Sequence, residues 1–472
     1  MQSKNHYILK CSSCGAEYDD NPGEWRLKCD KEGSEHGPAL MCSVFSADHP
    51  LDPKVDATAA RFSPWLAYRS PDPEHPGQVP EVLRTTSLPA TFRSTKFGEE
   101  KLGLRNLWVS FCGFWPERGS TLASCSFKEL EASCIAARLE GMPPGVGVVV
   151  SSAGNTARAF AQIFSQPGMK RTVVIVAPEK ALPSLWSPAP FTDNVKLIAV
   201  ADGDYFDAIR LADLIAEKGK DFLISEGGAR NNARRDGMSL ALLAAAAAAA
   251  AASATGSSNG TPLPVPRHYF QAIGSGTGGI AAWEGAQRLV KHAGCEGKST
   301  PPTLTKLHLS QNVPFTPMFD AWEKNGRSRV LPEYCNSDSE SKARISEVSA
   351  FVLTNRKPPY GICGGVYDAL TATDGTMYAV TNEEAAKAAA LFEESEGIDV
   401  DPAAAVAVAH LCYAAEKRLV DPDDFIVLNV TGGGKKHLFE SSAINYLKPV
   451  VTVKAADISS ETALKIVEAI KC

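Results

Sequence analysis

The sequence predicts an α/β protein built from open, mostly parallel sheets, and two observations predict it. From about residue 105 onward, short, β-branched, continuously apolar runs alternate with amphipathic stretches of helical period, the pattern of strands covered on both faces by crossover helices. Across residues 252–267 a passage rich in Ser, Gly, Asn and Pro splits this body into two portions, each dominated by strand–helix alternation. The composition agrees. With 44% hydrophobic and 22% charged residues over 472 positions, and a net charge of −6 from 48 Lys+Arg against 54 Asp+Glu, the chain has an ordinary globular balance. That excludes a disordered chain, a collagen-like or coiled-coil rod, and a basic nucleic-acid binder.

Residues 1–95 are rich in Pro, Asp and Ser with little periodicity, and are expected to form an irregular extension packed on the body. Strands are expected at 107–111, 146–151, 172–177, 195–200, 222–225, 268–273, 306–310 and 425–430. Helices fit between them at 128–139, 156–165, 205–219, 279–292, 341–353, 382–396 and 402–417. The only long uncharged stretch, 238–266, centres on nine consecutive alanines at 244–252. Alanine is too weakly apolar for a convincing membrane span, so a helix running into a flexible loop is expected, and no membrane association. The start of the chain has neither a signal-peptide nor a transit-peptide profile, which makes the cytosol the expected compartment. The twelve cysteines are spread irregularly over a long chain and are expected to be reduced.

Open α/β sheets bind ligands at the carboxyl ends of their strands, and three loops at such places have unusual content. In Cys125-Ser126-Phe127-Lys128 a lysine stands in the first turn of a helix, where the macrodipole disfavours a cation. A site that depresses an amine's pKa suits a lysine that must form an imine, although from this loop alone a surface lysine is the favoured reading. In Ser151-Ser152-Ala153-Gly154-Asn155-Thr156, small residues and a helix start could receive a carboxylate, and the Asn155 amide could donate to a phenolic oxygen, although from this loop alone an ordinary capped turn is the favoured reading. Gly274-Ser275-Gly276-Thr277-Gly278-Gly279 has the composition of a phosphate cradle, but Ile280 breaks the dinucleotide fingerprint and no P-loop Lys-Ser/Thr follows. In combination, with Thr431-Gly432-Gly433-Gly434 after the strand at 425–430, the loops supply what pyridoxal phosphate needs: an imine lysine, a donor to the ring oxygen, a phosphate cradle and a hydroxyl for the ring nitrogen.

This order of elements resembles the fold-type II pyridoxal-phosphate enzymes, which include threonine synthase and cysteine synthase. Longer strings narrow the resemblance to the cysteate synthase family, paralogues of threonine synthase. They are Leu107 through Gly119, Cys125 through Ala132, Glu226 through Arg230, Arg234 through Met238, Ile280 through Trp283, Leu307 through Asn312, Pro358 through Gly361, Glu396 through Asp399 with Pro402 through Ala405, and Asn429 through Gly434. The resemblance spans about residues 7–440. It implies a tryptophan synthase β-like fold: two open, mostly parallel sheets with the cofactor between domains. A large cofactor-binding domain would comprise 96–140 and 256–472, a small domain 141–255, and the N-terminal extension 1–95. The polyalanine tract and its loop look like an insertion relative to the family.

The implied activity is a β-replacement that converts O-phospho-L-serine and sulfite into L-cysteate and phosphate. Lys128 would be the catalytic lysine that carries the cofactor. Asn155, Gly274, Ser275, Gly276, Thr277, Gly278 and Thr431 would complete the cofactor site. Ser152, Ala153, Gly154 and Thr156 would take the substrate carboxylate, and Arg158, Arg230 and Arg235 the phosphate or sulfite, with Arg118, Arg234 and Lys435 as further candidates. Threonine synthase and phosphoserine-dependent cysteine synthase are the alternatives within the fold, and a non-catalytic regulatory paralogue is the alternative of another class. Expected partners are small-molecule substrates alone, without nucleic acid, and with a homo-oligomer left open.

Cys11-Ser-Ser-Cys14 resembles the opening of a zinc ribbon, but the partner expected for Cys29 in a second Cys-x-x-Cys is Glu32. His36 or Cys42 could complete a site. A decayed ribbon is the favoured reading, with no catalytic metal.

Overall fold

Two parallel sheets carry the fold of the computed structural model, which describes residues 6–45, 58–70, 72, 74–75, 77–253, 263–293 and 303–471. The larger has six strands in the order Thr376–Val380, Lys306–Asn312, His268–Ala272, Ile426–Val430, Leu107–Phe111 and Ala90–Arg93, all parallel except the last. The smaller has five parallel strands in the order Leu223–Ser225, Gly147–Ser151, Val173–Pro178, Val195–Ala201 and Val451–Lys454. The central strands His268–Ala272, Ile426–Val430 and Leu107–Phe111 are buried at every position, which is why their sequences read as unbroken apolar runs.

All eight expected strands form, with ends shifted by up to two residues. The helices end where their chemistry dictates. Tyr205–Lys218 starts at a capping box of Asp204 and Asp207, and Asn382–Glu396 starts at one of Thr381 and Glu384 and stops at Gly397 in the left-handed region. The helix expected at 341–353 is instead Asp338–Ser346 followed by a separate single turn, Phe351–Leu353. The intervening residues lead that turn to the rim of a cavity.

Two features cut across the sequence-level division at 140 and 255. The last strand, Val451–Lys454, crosses back to pair with Val195–Ala201, and helix Ser460–Lys471 packs on Tyr205–Lys218. Helix Asn232–Ser253 packs against Lys128–Leu139 on one side and Thr277–His292 on the other. The polyalanine tract is the C-terminal part of this helix and most of it is buried. Small side chains permit the close crossing, where a Cβ on Gly285 would lie 3.2 Å from that of Ser239. By length and composition this helix is apolar enough to span a membrane, but 72% of its most apolar window is buried inside the protein. The centre of the expected linker, 254–262, lies outside the described residues.

The N-terminal extension is more ordered than its composition predicts. Strands Glu17–Tyr18, Tyr7–Cys11 and Met41–Phe45 form an antiparallel sheet, in that order. Buried Asp20 anchors it to the body, accepting 2.8 and 2.7 Å bonds from Arg138 and pairing with Arg69 at 2.7 Å. These charges neutralise one another, which a buried carboxylate requires.

Candidate active site

A cavity of about 940 Å³ opens between the carboxyl ends of the two sheets. In the larger sheet it lies where the chain leaves His268–Ala272 toward Lys306–Asn312 on one side while Ile426–Val430 occupies the other, the switch point at which open α/β sheets leave a crevice. The wall from the smaller sheet is the loop after Gly147–Ser151, and the facing wall is formed by the loops after His268–Ala272 and Ile426–Val430.

Lys128 is the first residue of helix Lys128–Leu139, and its side chain reaches the cavity. The loop that presents it is clamped to the Thr431–Gly434 loop: Phe127 N–H donates to the Thr431 carbonyl at 3.0 Å and Gly433 N–H to that of Cys125 at 3.2 Å. A Cβ on Gly432 would lie 2.8 Å from the same Cys125 carbonyl, so glycine there permits the approach. Lys128 Nζ donates to Glu131 Oε2 at 3.3 Å. Burial pulls the amine below the ordinary lysine range, and the Glu131 carboxylate opposes the shift. Arg234 lines the cavity next to this pair, 3.1 Å from Glu131 and 2.8 Å from Glu226, and the two carboxylates hold its pKa up against burial.

Asn155 opens helix Asn155–Phe164, and Ser152, Ala153, Gly154 and Thr156 line the cavity beside it. Asn155 Oδ1 accepts a 2.7 Å bond from Arg158 Nη2. A guanidinium only donates, so it fixes the amide with its oxygen toward Arg158 and its NH₂ turned the other way. Arg158 also donates to the Ser124 and Ser184 carbonyls, both at 3.0 Å, and stacks 4.3 Å from the Trp186 ring centroid.

On the facing wall, Gly274, Ser275, Gly276, Gly278 and Thr431 line the cavity. Gly276 has φ +81°, and a Cβ there would lie 2.2 Å from Val366 Cγ2. A Cβ on Gly278 would lie 2.0 Å from Gln271 Nε2. Glycine is therefore required where the loop runs into the 16-residue helix Thr277–His292, whose start is a ready site for a phosphate. Thr277 does not line the cavity itself; its hydroxyl is 2.9 Å from that of Ser275, which does. An amine whose pKa burial lowers, an oriented amide donor, a glycine-rich cradle at a helix start and the Thr431 hydroxyl are the donor set pyridoxal phosphate calls for, and they converge on one space large enough for the cofactor and an amino acid.

Of the arginines assigned from sequence to phosphate and sulfite, Arg234, a further candidate, lines the cavity, whereas Arg158, Arg230 and Arg235 are elsewhere. Arg230 is paired with Glu32 at 2.8 Å, and buried Arg235 bonds Glu284 at 2.9 Å and the Met41 carbonyl at 2.6 Å. Arg158 lies behind Asn155 rather than on the cavity wall. Arg118 stacks on Phe92 and Trp115, and Lys435 lies over Trp186 and Phe439. Besides Lys128, the basic side chains that line the cavity are Lys180, Arg234, Lys342 and Arg356, and the buried acid Asp401, whose pKa burial raises, lies among them. Lys342 and Arg356 belong to the rim segment; Lys342 pairs with Asp204 at 3.1 Å, and Arg356 lies 3.9 Å over the Phe206 ring, both partners being on the smaller-sheet side. Their neighbours Phe351 and Val352 are large apolar residues left exposed at the rim. Glu131 could have been found from sequence, since it is one helical turn from Lys128; Arg356 and Lys342 carry no local signal.

Residues 110–432 match the family described as pyridoxal-phosphate dependent enzyme. The chain is 44% identical over 455 residues to a cysteate synthase of Methanosarcina barkeri, covering 96% of this chain and 98% of the relative. It is also 44% identical over 456 residues to a cysteate synthase of Methanoculleus marisnigri, covering 96% and 94%. Among solved structures, a fungal L-serine ammonia-lyase from Rhizomucor miehei superposes with a TM-score of 0.53 at 16% identity, covering 75% of this chain and 96% of that one.

Proposed function

This chain belongs to the cysteate synthase family of pyridoxal-phosphate-dependent enzymes, and from that premise we propose that it joins O-phospho-L-serine and sulfite into L-cysteate and phosphate. The observation that carries the reading is the convergence of Lys128, the Asn155 loop, the glycine loop and Thr431 on one cavity in a chain alike over nearly its whole length to cysteate synthases.

When bound, pyridoxal phosphate supplies an electron sink for the carbanion that forms at Cα. Lys128 holds it, and the amines best able to do so are the neutral ones that burial favours here. Asn155 would donate to the ring oxygen, Gly274 through Gly278 would cradle the phosphate group, and Thr431 would give the ring nitrogen a neutral partner. The substrate carboxylate lies against Ser152 through Thr156 at the helix start. Once the substrate's amine has taken its place and freed it, Lys128 Nζ would take the α-proton; the Cβ–O bond then breaks and phosphate departs with its electron pair. The sulfur lone pair of sulfite forms the new Cβ–S bond, and the Lys128 ammonium returns a proton to Cα.

Leaving group and nucleophile are both multiply charged oxyanions, and charge-assisted contacts serve them best. Arg234, Lys342, Arg356 and Lys180 replace Arg158, Arg230 and Arg235 in that role, because they are the cations on the cavity wall. Incubation of the holoenzyme with phosphoserine and sulfite should release phosphate and cysteate in equal amounts, quantified by phosphate assay and mass spectrometry. Formation of threonine from phosphohomoserine, with no cysteate from phosphoserine, would overturn the reading.

A further inference from the structure

We propose that the N-terminal sheet carries a structural zinc ion bound by Cys11, Cys14, Cys29 and His36. The ligand atoms of these four residues all lie within 4.8 Å of one another, and among the described residues no other group of His, Cys, Asp and Glu gathers in this way. Around one zinc, tetrahedral bonds of about 2.3 Å to sulfur and about 2.0 Å to nitrogen put two sulfurs about 3.8 Å apart and a sulfur and a nitrogen about 3.5 Å apart. Cys14 Sγ and Cys29 Sγ are 3.7 Å apart, and Cys11 Sγ is 3.6 Å from His36 Nε2. The sulfurs are too far apart for a disulfide, whose S–S bond is about 2.05 Å.

The groups behind the ligands fit the same purpose. His36 Nδ1 is 2.7 Å from the Gly37 carbonyl, which takes the ring proton there and leaves the Nε2 lone pair for a metal. The Tyr18 hydroxyl is 3.2 Å from Cys29 Sγ and can donate to its thiolate. The Cys11–Gly15 turn closes with a 3.0 Å bond from Gly15 N–H to the Cys11 carbonyl, and Gly15 takes φ +71°. Such a turn aims both of its cysteines at one point. Cys42 is not a ligand: its thiol lies 3.2 Å from both Ser12 Oγ and a carboxylate oxygen of Glu284. The fourth ligand therefore comes from His36, in a Cys-x2-Cys-x14-Cys-x6-His pattern rather than a second Cys-x-x-Cys. Four protein ligands leave no open position, so the ion is structural.

Its place gives it a task. Glu32 stands in the loop between Cys29 and His36 and grips Arg230 with contacts of 2.9 and 2.8 Å. Trp25, before Cys29, donates to the Ser225 carbonyl at 3.0 Å. The metal loop therefore braces the segment 225–230, which leads directly to Arg234 at the cavity.

The test is metal content of the full-length holoenzyme, expressed with zinc, desalted and measured by mass spectrometry after acid release. Zinc should be retained at about one ion per chain and fall roughly tenfold or more in Cys29→Ala. Cys14→Ser replaces an exposed ligand and covers the case in which Cys29→Ala does not fold. In the wild-type protein, cobalt(II) added after zinc removal should show the visible bands of a tetrahedral thiolate site, and zinc removal should lower the thermal midpoint while the cofactor's absorbance persists. A wild-type protein that holds no zinc after exposure to it overturns the proposal, as does Cys14→Ser retaining zinc undiminished. Neither outcome touches the β-replacement reading, which is scored by product.

Discussion

Arg158 shows how a basic residue can serve an anion-handling site without touching the anion. Its guanidinium makes three bonds, to Asn155 Oδ1, Ser124 O and Ser184 O, and the first sets which way the Asn155 amide faces. Arg158→Lys keeps the charge but cannot make three directed contacts from one ammonium. Loss of one charge-assisted bond costs about 1.5–3 kcal/mol, so cofactor affinity should fall roughly 10- to 100-fold with a shifted visible band, and Lys should rescue little relative to Arg158→Leu. Cofactor titration followed by absorbance checks this; a lysine variant with wild-type affinity would show that the amide is held by something else. At this scale the sequence is legible where the signal is local: Lys128 in its helix start, Asn155 after a strand, Thr431 before three glycines. Arg230 and Arg235 misled because a long cationic side chain goes where its partner is, and Glu32 is 198 residues away from Arg230. For the ribbon the sequence offered His36 and Cys42 as completing residues, and the fold brings His36 rather than Cys42 to Cys11, Cys14 and Cys29.

Among the elements, the glycine loop and the helix it opens bear most on function. Gly276 combines a left-handed backbone with contact against Val366, so Gly276→Ala meets both strain and overlap. A loss of about 1–3 kcal/mol in stability is expected, with a larger fall in cofactor retention, because the displaced amides are those that face the phosphate group. Thermal midpoints with and without cofactor separate the two effects; equal losses in both states would mean that the loop is merely structural. Element prediction was sound for strands of five or more buried residues and for capped helices. It missed two-residue strands such as Glu17–Tyr18, the partly exposed strands Tyr7–Cys11, Met41–Phe45, Ala90–Arg93, Thr376–Val380 and Val451–Lys454, and the break in the stretch 341–353, where Glu347 ends one helix and the chain turns to the cavity rim. Short antiparallel pairs leave little periodicity to detect, and a rim segment takes its shape from what it covers.

Taken as a whole, the molecule joins its two sheets by crossings that local patterning does not reveal, above all the return of Val451–Lys454 to the smaller sheet. Its larger sheet also sets the acid response. His308 stacks 4.2 Å from Phe270, and His410 lies edge-on to the same ring; burial lowers both pKa values, that of His410 to about 3. Unfolding exposes them to protonation near an ordinary value of about 6.5, so the unfolded chain binds more protons below that pH. Stability is then complete above about pH 6.5 and is lost as pH falls toward about 3, at up to about 1.4 kcal/mol per pH unit for each histidine. His410→Phe should flatten the fall in thermal midpoint between pH 7 and pH 5; parallel curves for variant and wild type would contradict this.

The claim on which the rest depends is the choice of nucleophile. It is tested most directly by offering the holoenzyme phosphoserine together with equal concentrations of sulfite and sulfide and resolving the amino-acid products by mass spectrometry. The account predicts cysteate as the dominant product, formed with one phosphate per molecule and abolished in Lys128→Ala. Cysteine in large excess over cysteate would contradict it.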